Sequence, residues 1–323
     1  MYIAIDSGTT NTRVALTDGK NIIQKIKINV GARDAAVTGS TDRLKNELKK
    51  AIDTLLSENK ISTENIEKIT ASGMIVSDSG LCPIAHVTAP VSAEMLKNSS
   101  KTVVIPEVTS IPITFIPGVK NNCSYSEVSE LSDMDVMRGE ETEAFGIIAM
   151  GEAKAPFIAV LPGSHTKTVT VNEKGEIISC RTSMGGEMIK AVSENTILKD
   201  AFPNGLPKEF SEEYLFFGYD FAEKYGINEA LFKVRLLKMF LNVSEIELYS
   251  FFAGVILESD IKMIKKDINS CTSVAVGGSN PLKAMFYALI KKYIGGNVTP
   301  LSDETVEKCT FTGGIYITEG KLF

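Results

Sequence analysis

The stretch Met1-Tyr-Ile-Ala-Ile-Asp-Ser-Gly-Thr-Thr-Asn-Thr-Arg13 predicts the start of a β-hairpin with a small polar turn. Tyr2 to Ile5 is a short apolar run that is typical of a buried strand. This strand ends at Asp6, and the turn Ser7-Gly8-Thr9-Thr10 follows it. The N–H groups and hydroxyls of such a turn can bind phosphate oxygens, and a carboxylate beside them can hold a hard cation. An ordinary β-hairpin whose first strand ends in Asp fits the stretch equally well.

The second half of the chain repeats this pattern. Phe157 to Val160 matches Tyr2 to Ile5, and Gly163-Ser164 falls on Gly8-Thr9. In both halves the turn is followed by a second strand, a further turn and a third strand, as the alternating apolar residues indicate. Such a match over a whole unit is unlikely to arise by chance.

The two copies differ at one informative position. Where the first copy has Asp6, the second has Leu161, so only the first offers a carboxylate for a metal. A single duplication, in contrast to the many short repeats of a solenoid, predicts two similar domains. We place them at residues 1–145 and 146–323.

Composition predicts a soluble cytoplasmic protein. The chain has 323 residues, a net charge of −6 and a pI near 5.3, which argues against nucleic acid or an anionic membrane as its main partner. Its five cysteines contain no C-x-x-C pair, which fits a reducing compartment and argues against a structural zinc site. The N-terminus runs directly into a strand, so we expect no signal peptide. The apolar run from Phe251 to Leu257 is too short to span a bilayer.

Apolar spacing also predicts helices and loops. Leucines and isoleucines at helical spacing indicate a helix from Thr41 to Lys60. The small and polar residues from Gly31 to Ser40 indicate a loop. Ser244-x-x-Glu247 reads as a capping box that opens a long helix ending near Lys266. Gly139 precedes another helix start, at Glu140.

A glycine-rich turn lies late in the chain. The predicted strand Ser273 to Val276 enters Gly277-Gly278-Ser279-Asn280-Pro281, and a helix is predicted from Leu282 to Tyr293. Asn280 suits an N-cap and Pro281 a first helical residue. Glycines allow a flat ligand to approach the backbone closely. A plain strand-to-helix turn is the alternative.

Together, the hairpin, its copy and the late Gly-Gly turn resemble the actin-like ATPase superfamily, which includes many sugar kinases. Further motifs resemble the 2-dehydro-3-deoxygalactonokinase family and cover nearly the whole chain in order. In chain order these motifs are Asp6-x-Gly-x-Thr-Asn-x-Arg13, Gly73-Met74-x-x-Ser77-x-x-Gly80, Met137-Arg-Gly-Glu-Glu-Thr142, Leu161-Pro-Gly-Ser-His-Thr-Lys167, Arg181-Thr-x-Met-x-Gly-Glu187 and Phe232-x-Val-Arg235.

This resemblance implies an α/β fold of two actin-like, ribonuclease H-like domains, with mixed sheets flanked by helices and an active site in the interdomain cleft. It implies a kinase that uses ATP and Mg²⁺ to phosphorylate the terminal (6-) hydroxyl of a 2-keto-3-deoxy sugar acid, foremost 2-dehydro-3-deoxy-D-galactonate. The expected partners are the sugar acid and ATP, with a homodimer left open. Two alternatives remain: an actin-like nucleotide or polyphosphate phosphohydrolase, and a non-catalytic, filament-forming or scaffold ATPase of the actin type.

The resemblance also assigns binding roles to individual residues. Those expected to bind ATP are Gly8, Thr9, Thr10, Gly163, Ser164 and Lys167 at the phosphates, and Gly277, Gly278 and Ser279 at the adenosine. Asp6 is expected to hold Mg²⁺. The arginine fork suits a substrate carboxylate, and the residues expected to bind the substrate are Arg13, Arg138, Arg181, Arg235 and Glu187.

The catalytic base is predicted among three residues. No carboxylate lies next to Leu161, so the candidates are Glu140 and Glu141 at the predicted helix start. These two would point about 100° apart on a helix, so one can face the cleft while the other pairs elsewhere. We expect Glu140 to be the base, with Glu141 as the second candidate. Acids at a helix N-terminus are also explained by the helix dipole. His165 lies inside the second turn and could act as base or donor. His86 is expected to be structural.

Overall fold

The computed structural model describes residues 1–268 and 272–321, so Cys271 lies outside the described residues. The chain divides into two compact units. The first contains residues 1–156, 169–180 and the part from Asp303 onward, and the second contains residues 157–168 and 181–302. These units do not follow the expected division at residue 145, because the last helix packs on elements from the first half of the chain.

Strands and helices occur in short runs along the chain. The strands are β1 (Tyr2–Ser7), β2 (Thr12–Thr17), β3 (Ile22–Ile28), β4 (Lys68–Gly73), β5 (Val87–Thr88), β6 (Lys101–Ile105), β7 (Thr109–Phe115), β8 (Val119–Lys120), β9 (Val136–Met137), β10 (Phe157–Leu161), β11 (Thr166–Val171), β12 (Ile177–Ser183), β13 (Ser273–Val276) and β14 (Asn297–Pro300). The helices are α1 (Ala32–Thr38), α2 (Asp42–Glu58), α3 (Ala93–Ser99), α4 (Glu140–Ala149), α5 (Gly185–Asn195), α6 (Glu212–Tyr225), α7 (Ile227–Phe240), α8 (Glu245–Ile264), α9 (Leu282–Tyr293) and α10 (Asp303–Glu319). Short 3-10 helices are Thr63–Asn65, Met74–Val76, Val128–Glu130 and Ile197–Ala201.

The first unit is built on a six-stranded mixed sheet with the order β3-β2-β1-β4-β7-β6. Strands β1, β4 and β7 run parallel, and β2, β3 and β6 are antiparallel to their neighbours. The expected alternation in β3 is confirmed, because its residues are alternately more and less exposed. The ladder places Asp6 between Arg13 on β2 and Ser72 on β4. The parallel ends of β1 and β4 therefore meet at Asp6.

The second sheet has the order β12-β11-β10-β13-β14, in which β10, β13 and β14 run parallel. Its first three strands confirm the predicted copy of the opening hairpin. The segment Val169–Cys180 groups with the first unit, where Val91 bridges Ile177 and the amide of Asn121 donates to the carbonyl of Cys180. The core of the second unit lies around α8, whose residues from Leu248 to Leu257 are all buried.

Glycines let helices pack closely in each unit. On α4 and α10, a Cβ added at Gly146 would overlap the carbonyl of Cys309, and one added at Gly313 would overlap the carbonyl of Thr142. Helices α6 and α8 use the same arrangement, since Gly218 lies against the carbonyl of Phe251 and Gly254 against that of Leu215. In both pairs the two backbones touch with no side chain between them.

Most of the predicted local structure is confirmed, with three differences. Helix α2 follows Thr41 as expected, and Ser244 and Glu247 form the predicted capping box of α8. The predicted loop 31–40 is wrong, because α1 forms there with Asp34 accepting from the N–H of Gly31 and with Ala32 and Ala35 buried. Helix α3 also forms between Pro90 and Pro106, where the sequence analysis predicts no helix. Pro281, in place of Asn280, occupies the N-cap position of α9.

Candidate functional site

In the first unit, the turn after β1 is exposed and is supported by α1. Gly8, Thr9 and Thr10 are all exposed. The N–H of Gly8 donates to Asn11 at 2.8 Å, which closes the turn. Its carbonyls point to α1: Gly8 accepts from Ala32 at 3.2 Å and Thr9 from Arg33 at 2.9 Å. The turn is therefore held from the α1 side and open to solvent on the other.

Asp6 lies where three elements of the first unit meet. Its Oδ2 accepts from Nε of Arg13 at 2.8 Å and from a second guanidinium nitrogen of the same residue. A Cβ placed on Gly139, just before α4, would lie 3.5 Å from Cα of Gly73 and 4.0 Å from Oδ1 of Asp6. Asp6 is thus largely buried beside the start of α4, with its charge compensated by Arg13.

Glu141 is completely buried at the first turn of α4. Both of its carboxylate oxygens accept from the N–H of Gly139, at 2.9 and 2.8 Å. Burial raises the pKa of Glu141 to about 8, and the neighbouring charge of Glu140 contributes. This carboxyl group therefore caps its own helix.

Glu140 and Glu143 lie one turn apart on the same side of α4. Oε2 of Glu140 accepts from the N–H of Arg138 at 3.1 Å, and the residue is partly exposed. Oε1 of Glu143 accepts from the hydroxyl of Thr310 on α10 at 3.3 Å. Burial, and then the charges of Glu140 and Asp6, raise the pKa of Glu143 to about 7. The sequence interpretation missed Glu143, although its spacing of three residues from Glu140 was a usable signal.

In the second unit, the turn after β10 is held by the first turn of α5. The N–H of Glu187 donates to the carbonyl of Ser164 at 2.8 Å, and a Cβ added at Gly186 would overlap the carbonyl of Gly163. Nε2 of His165 lies 3.4 Å from Oε2 of Glu187, and both side chains are about half exposed. Helix α5 therefore fixes the position of this turn and gives His165 an acidic neighbour.

Two buried groups follow this turn on β11. Lys167 is 8% exposed, and its ammonium donates to the hydroxyl of Thr182. The hydroxyl of Thr166 donates to Oδ2 of Asp260 at 2.7 Å. Asp260 is 2% exposed, and burial raises its pKa against the lowering effect of bonds from Ser183 and Thr166. The sequence interpretation missed Asp260, whose one signal is a charge inside an apolar helical stretch.

The Gly277-Gly278 turn lies against the same region of the second unit. The N–H of Gly277 donates to the carbonyl of Val160 at 2.8 Å. Gly278 has φ +75°, and a Cβ there would overlap the carbonyl of Pro162. Ser279 is exposed at the mouth of this turn. The structure therefore brings two of the predicted nucleotide-binding turns together in this unit.

The four predicted substrate arginines have different surroundings. Arg13 pairs with Asp6, and Arg181 donates from Nε to Asp267 at 2.7 Å. Arg138 donates to the carbonyls of Val76 at 2.9 Å and Ile84 at 3.1 Å, and burial lowers its pKa. Arg235 lies on α7, beside a cavity of the second unit.

Comparison with known proteins decides the family. The sequence profile of the family described as 2-keto-3-deoxy-galactonokinase matches residues 6–312, which is nearly the whole chain. The chain belongs to the 2-keto-3-deoxy-galactonokinase family. It is therefore a carbohydrate kinase, and kinases of this family use ATP.

Individual members of the 2-keto-3-deoxy-galactonokinase family agree with this assignment. The 2-dehydro-3-deoxygalactonokinase of Escherichia coli K12 is 23% identical over 307 residues, covering 94% of each chain. The crystal structure of a candidate 2-dehydro-3-deoxygalactonokinase from Sinorhizobium meliloti superposes with a TM-score of 0.76 at 21% identity, covering 99% of this chain and 100% of the other. The predicted actin-like fold, with mixed sheets flanked by helices, is confirmed.

A more distant structure shares this fold. The activator of 2-hydroxyisocaproyl-CoA dehydratase from Clostridium difficile, with bound ADPNP, gives a TM-score of 0.51 at 11% identity, covering 99% of this chain and 94% of the other. In the kinase chain itself, no helix within residues 1–268 and 272–321 combines the length and apolarity that a membrane crossing requires.

Proposed function

We propose that this chain transfers the γ-phosphoryl group of ATP to the 6-hydroxyl of 2-dehydro-3-deoxy-D-galactonate, giving the 6-phosphate and ADP. The observation that carries the proposal is the family match over residues 6–312, which spans every motif named above. The four cysteines in the described part of the chain form no disulfide, which supports a reducing, cytoplasmic setting. Sedimentation velocity tests whether the chain forms the homodimer that the sequence left open.

The first unit supports the binding of phosphates and a divalent cation. The turn Gly8–Thr10 is exposed and carries two hydroxyls, and Asp6 lies two residues before it. The described residues contain no cluster of three acidic, histidine or cysteine ligands for a metal. Mg²⁺ fits nonetheless, since it is usually bound by one or two carboxylates together with substrate phosphates and water. Asp6 would then hold the cation, which would neutralise charge on the phosphates.

Residues of the second unit are suited to binding the phosphates and the adenosine of ATP. Gly163 and Ser164 form a turn fixed by α5, and the buried ammonium of Lys167 follows it. Positive charge and fixed N–H donors near the transferred group are what phosphoryl transfer requires. Gly277 and Gly278 would border the adenosine, where the absence of side chains allows close approach.

Glu140 is the residue that we propose as base. It lies on the partly exposed side of the first turn of α4, near the metal-side acid Asp6. Glu141, the second candidate, is fully buried, and both of its oxygens face the N–H of Gly139. A base must come within hydrogen-bonding distance of the hydroxyl it deprotonates, which favours Glu140. His165, half exposed beside Glu187, would donate to the transferred phosphoryl group.

The substrate assignment is tested by an ADP-release assay. We expect release with 2-dehydro-3-deoxy-D-galactonate to exceed release with its 4-epimer, 2-dehydro-3-deoxy-D-gluconate, measured as kcat/KM. A preference for the epimer would overturn the substrate, and phosphate release that does not depend on any sugar acid would instead support a phosphohydrolase. The product identified by mass spectrometry and NMR must carry the phosphate on C6.

A further inference from the structure

A cavity of about 260 Å³ lies in the second unit between the 3-10 helix Ile197–Ala201 and α7. Arg235 and Lys238 line it from α7, and Asp200 lines it from the 3-10 helix. Ile197 and Met239, both more than half exposed, add apolar surface. The lining of the cavity thus combines charged and apolar side chains from both elements.

Arg235 has no protein partner in the part of the chain that the structure describes: within residues 1–268 and 272–321 its guanidinium makes no hydrogen bond or ion pair. Asp200 lines the same cavity, yet no ion pair joins the two. Lys238 is held differently, because its ammonium donates to the main-chain carbonyl of Asp200. A partly buried guanidinium that faces a cavity and lacks a partner is suited to binding an anion.

Charge and shape narrow the class of anion. Two cations and one carboxylate give the lining a net charge of +1, which matches a monoanion better than a dianionic phosphate. The planar fork of Arg235 can donate two parallel hydrogen bonds to a carboxylate. The volume falls below the 300–1,000 Å³ typical of pockets for drug-sized ligands, so a small organic acid fits better than a nucleotide.

This cavity is separate from the turn that follows β10. Helix α5 starts at that turn, where Glu187 binds Ser164, and it runs 11 residues to Asn195. The 3-10 helix begins immediately afterwards, with the hydroxyl of Thr196 accepting from the N–H of Leu198. An 11-residue helix is about 16 Å long. The cavity and the turn therefore lie at opposite ends of α5.

We propose that this cavity is a second small-molecule site, which binds the carboxylate of a small organic monoanion through Arg235. Lys238 supplies the second cation, and Ile197 and Met239 contact the carbon chain. The site goes beyond the kinase reaction and replaces the expected contact of Arg235 with the substrate. Because α5 connects the cavity with the turn that follows β10, a molecule bound in the cavity is placed to act on that turn.

The test is a titration with pyruvate, a small carboxylate, observed by NMR on protein labelled with ¹³C at the methionine methyl groups. Met239 is assigned from the signal that disappears in Met239→Leu. We expect pyruvate to shift this signal saturably in the wild type and in Lys199→Met. Lys199 is an exposed cation on the same 3-10 helix that does not line the cavity, so it controls for general charge.

Arg235→Met should weaken pyruvate binding about tenfold or more, since a charged hydrogen-bonding partner is lost. Arg235→Lys should weaken it less, because the charge remains without the fork. Unchanged signals from the other methionines show that each variant is folded. The proposal is overturned if pyruvate gives no saturable shift, if the shift persists in Arg235→Met, or if inorganic phosphate shifts the signal and pyruvate does not. None of these readings depends on kinase activity.

Discussion

The hydroxyl of Thr166 donates to the carboxylate of Asp260 at 2.7 Å. Thr166 is the first residue after the turn that follows β10. Both residues are buried, and Asp260 comes from α8, the central helix of the second unit. A turn that binds phosphates must keep its N–H groups in a fixed arrangement, and Asp260 ties the end of this turn to the core. Asp260 is therefore a positioning residue in the proposed reaction.

Asp260→Ala should raise the KM for ATP several-fold while lowering kcat less. The change leaves the buried Thr166 hydroxyl without its acceptor, at a cost of about 1–3 kcal/mol, and the turn should loosen. Asp260→Asn retains an oxygen acceptor and should lie between the wild type and Asp260→Ala. Glu258→Ala is the matched control, because Glu258 is buried on the same helix and pairs with Lys262. Steady-state kinetics in which both alanine variants raise the KM for ATP equally would refute the role.

Glu141 should make the stability of the protein depend on pH. Its pKa is raised from 4.5 to about 8 by burial, so between these values the folded state binds more protons than the unfolded state. The free energy of unfolding therefore falls as pH rises through this window. Glu141→Gln mimics the protonated form, and we expect it to be stabilised relative to the wild type at pH 8 but not at pH 5.

Thermal unfolding at the two pH values measures this difference. Glu64→Gln, at an exposed position, controls for the loss of one carboxylate. An equal effect of Glu141→Gln at pH 5 and pH 8 would show that the wild-type carboxyl group does not titrate in this range.

Glu140→Gln should lower kcat by about 10²–10⁴-fold, the usual contribution of a general base. ATP binding should change little, because the substitution retains the shape of the side chain. Glu143→Gln is the matched comparison: it removes a carboxylate one turn away on the same side of α4, where Thr310 is its partner. If Glu143→Gln proved the slower enzyme in single-turnover assays, the base would have to be reassigned to Glu143.

Gly313→Ala should destabilise the first unit more than Gly314→Ala. A methyl group at residue 313 would overlap the carbonyl of Thr142 on α4, whereas at residue 314 its nearest neighbour is the hydroxyl of Thr70 at 3.1 Å. Overpacking costs roughly 1–3 kcal/mol, and both variants gain about 1 kcal/mol of helix propensity. Calorimetry should show a lower melting temperature for Gly313→Ala alone. Equal melting temperatures would mean that α10 can move away from α4.

Local patterns in the sequence predicted the elements but not how they combine. The hairpin Tyr2–Thr17 and its copy follow from short apolar runs and small turns, and α2 and α8 follow from apolar spacing and caps. The return of α10 to α4 depends on contacts between residues more than 150 positions apart, such as Gly146 and Cys309. No periodicity carries that information. Helix α1 was missed because its buried face consists of two alanines, which give a weak apolar signal.

Local sequence patterns likewise predicted only part of the candidate site. Asp6 and Glu140 were predicted as site residues because they stand beside a recognisable turn and a helix start. The surroundings of these residues were not predicted, because the pairing of Arg13 with Asp6 and the capping bonds of Glu141 depend on side-chain positions. Asp260 was missed because helical spacing alone does not reveal which turn a buried acid will reach.

The packing of α10 on α4 has a consequence for synthesis on the ribosome. The first unit needs a helix that is translated only after the whole of the second unit. Folding in order of synthesis therefore favours the second unit, which can complete its core while α4 still lacks its neighbour. Nascent chains in which residue 302 is followed by a flexible linker, long enough to bring that residue out of the ribosome, should accordingly protect α8 from protease and leave α4 open to cleavage. The part of the molecule that emerges first would then be the last to become native.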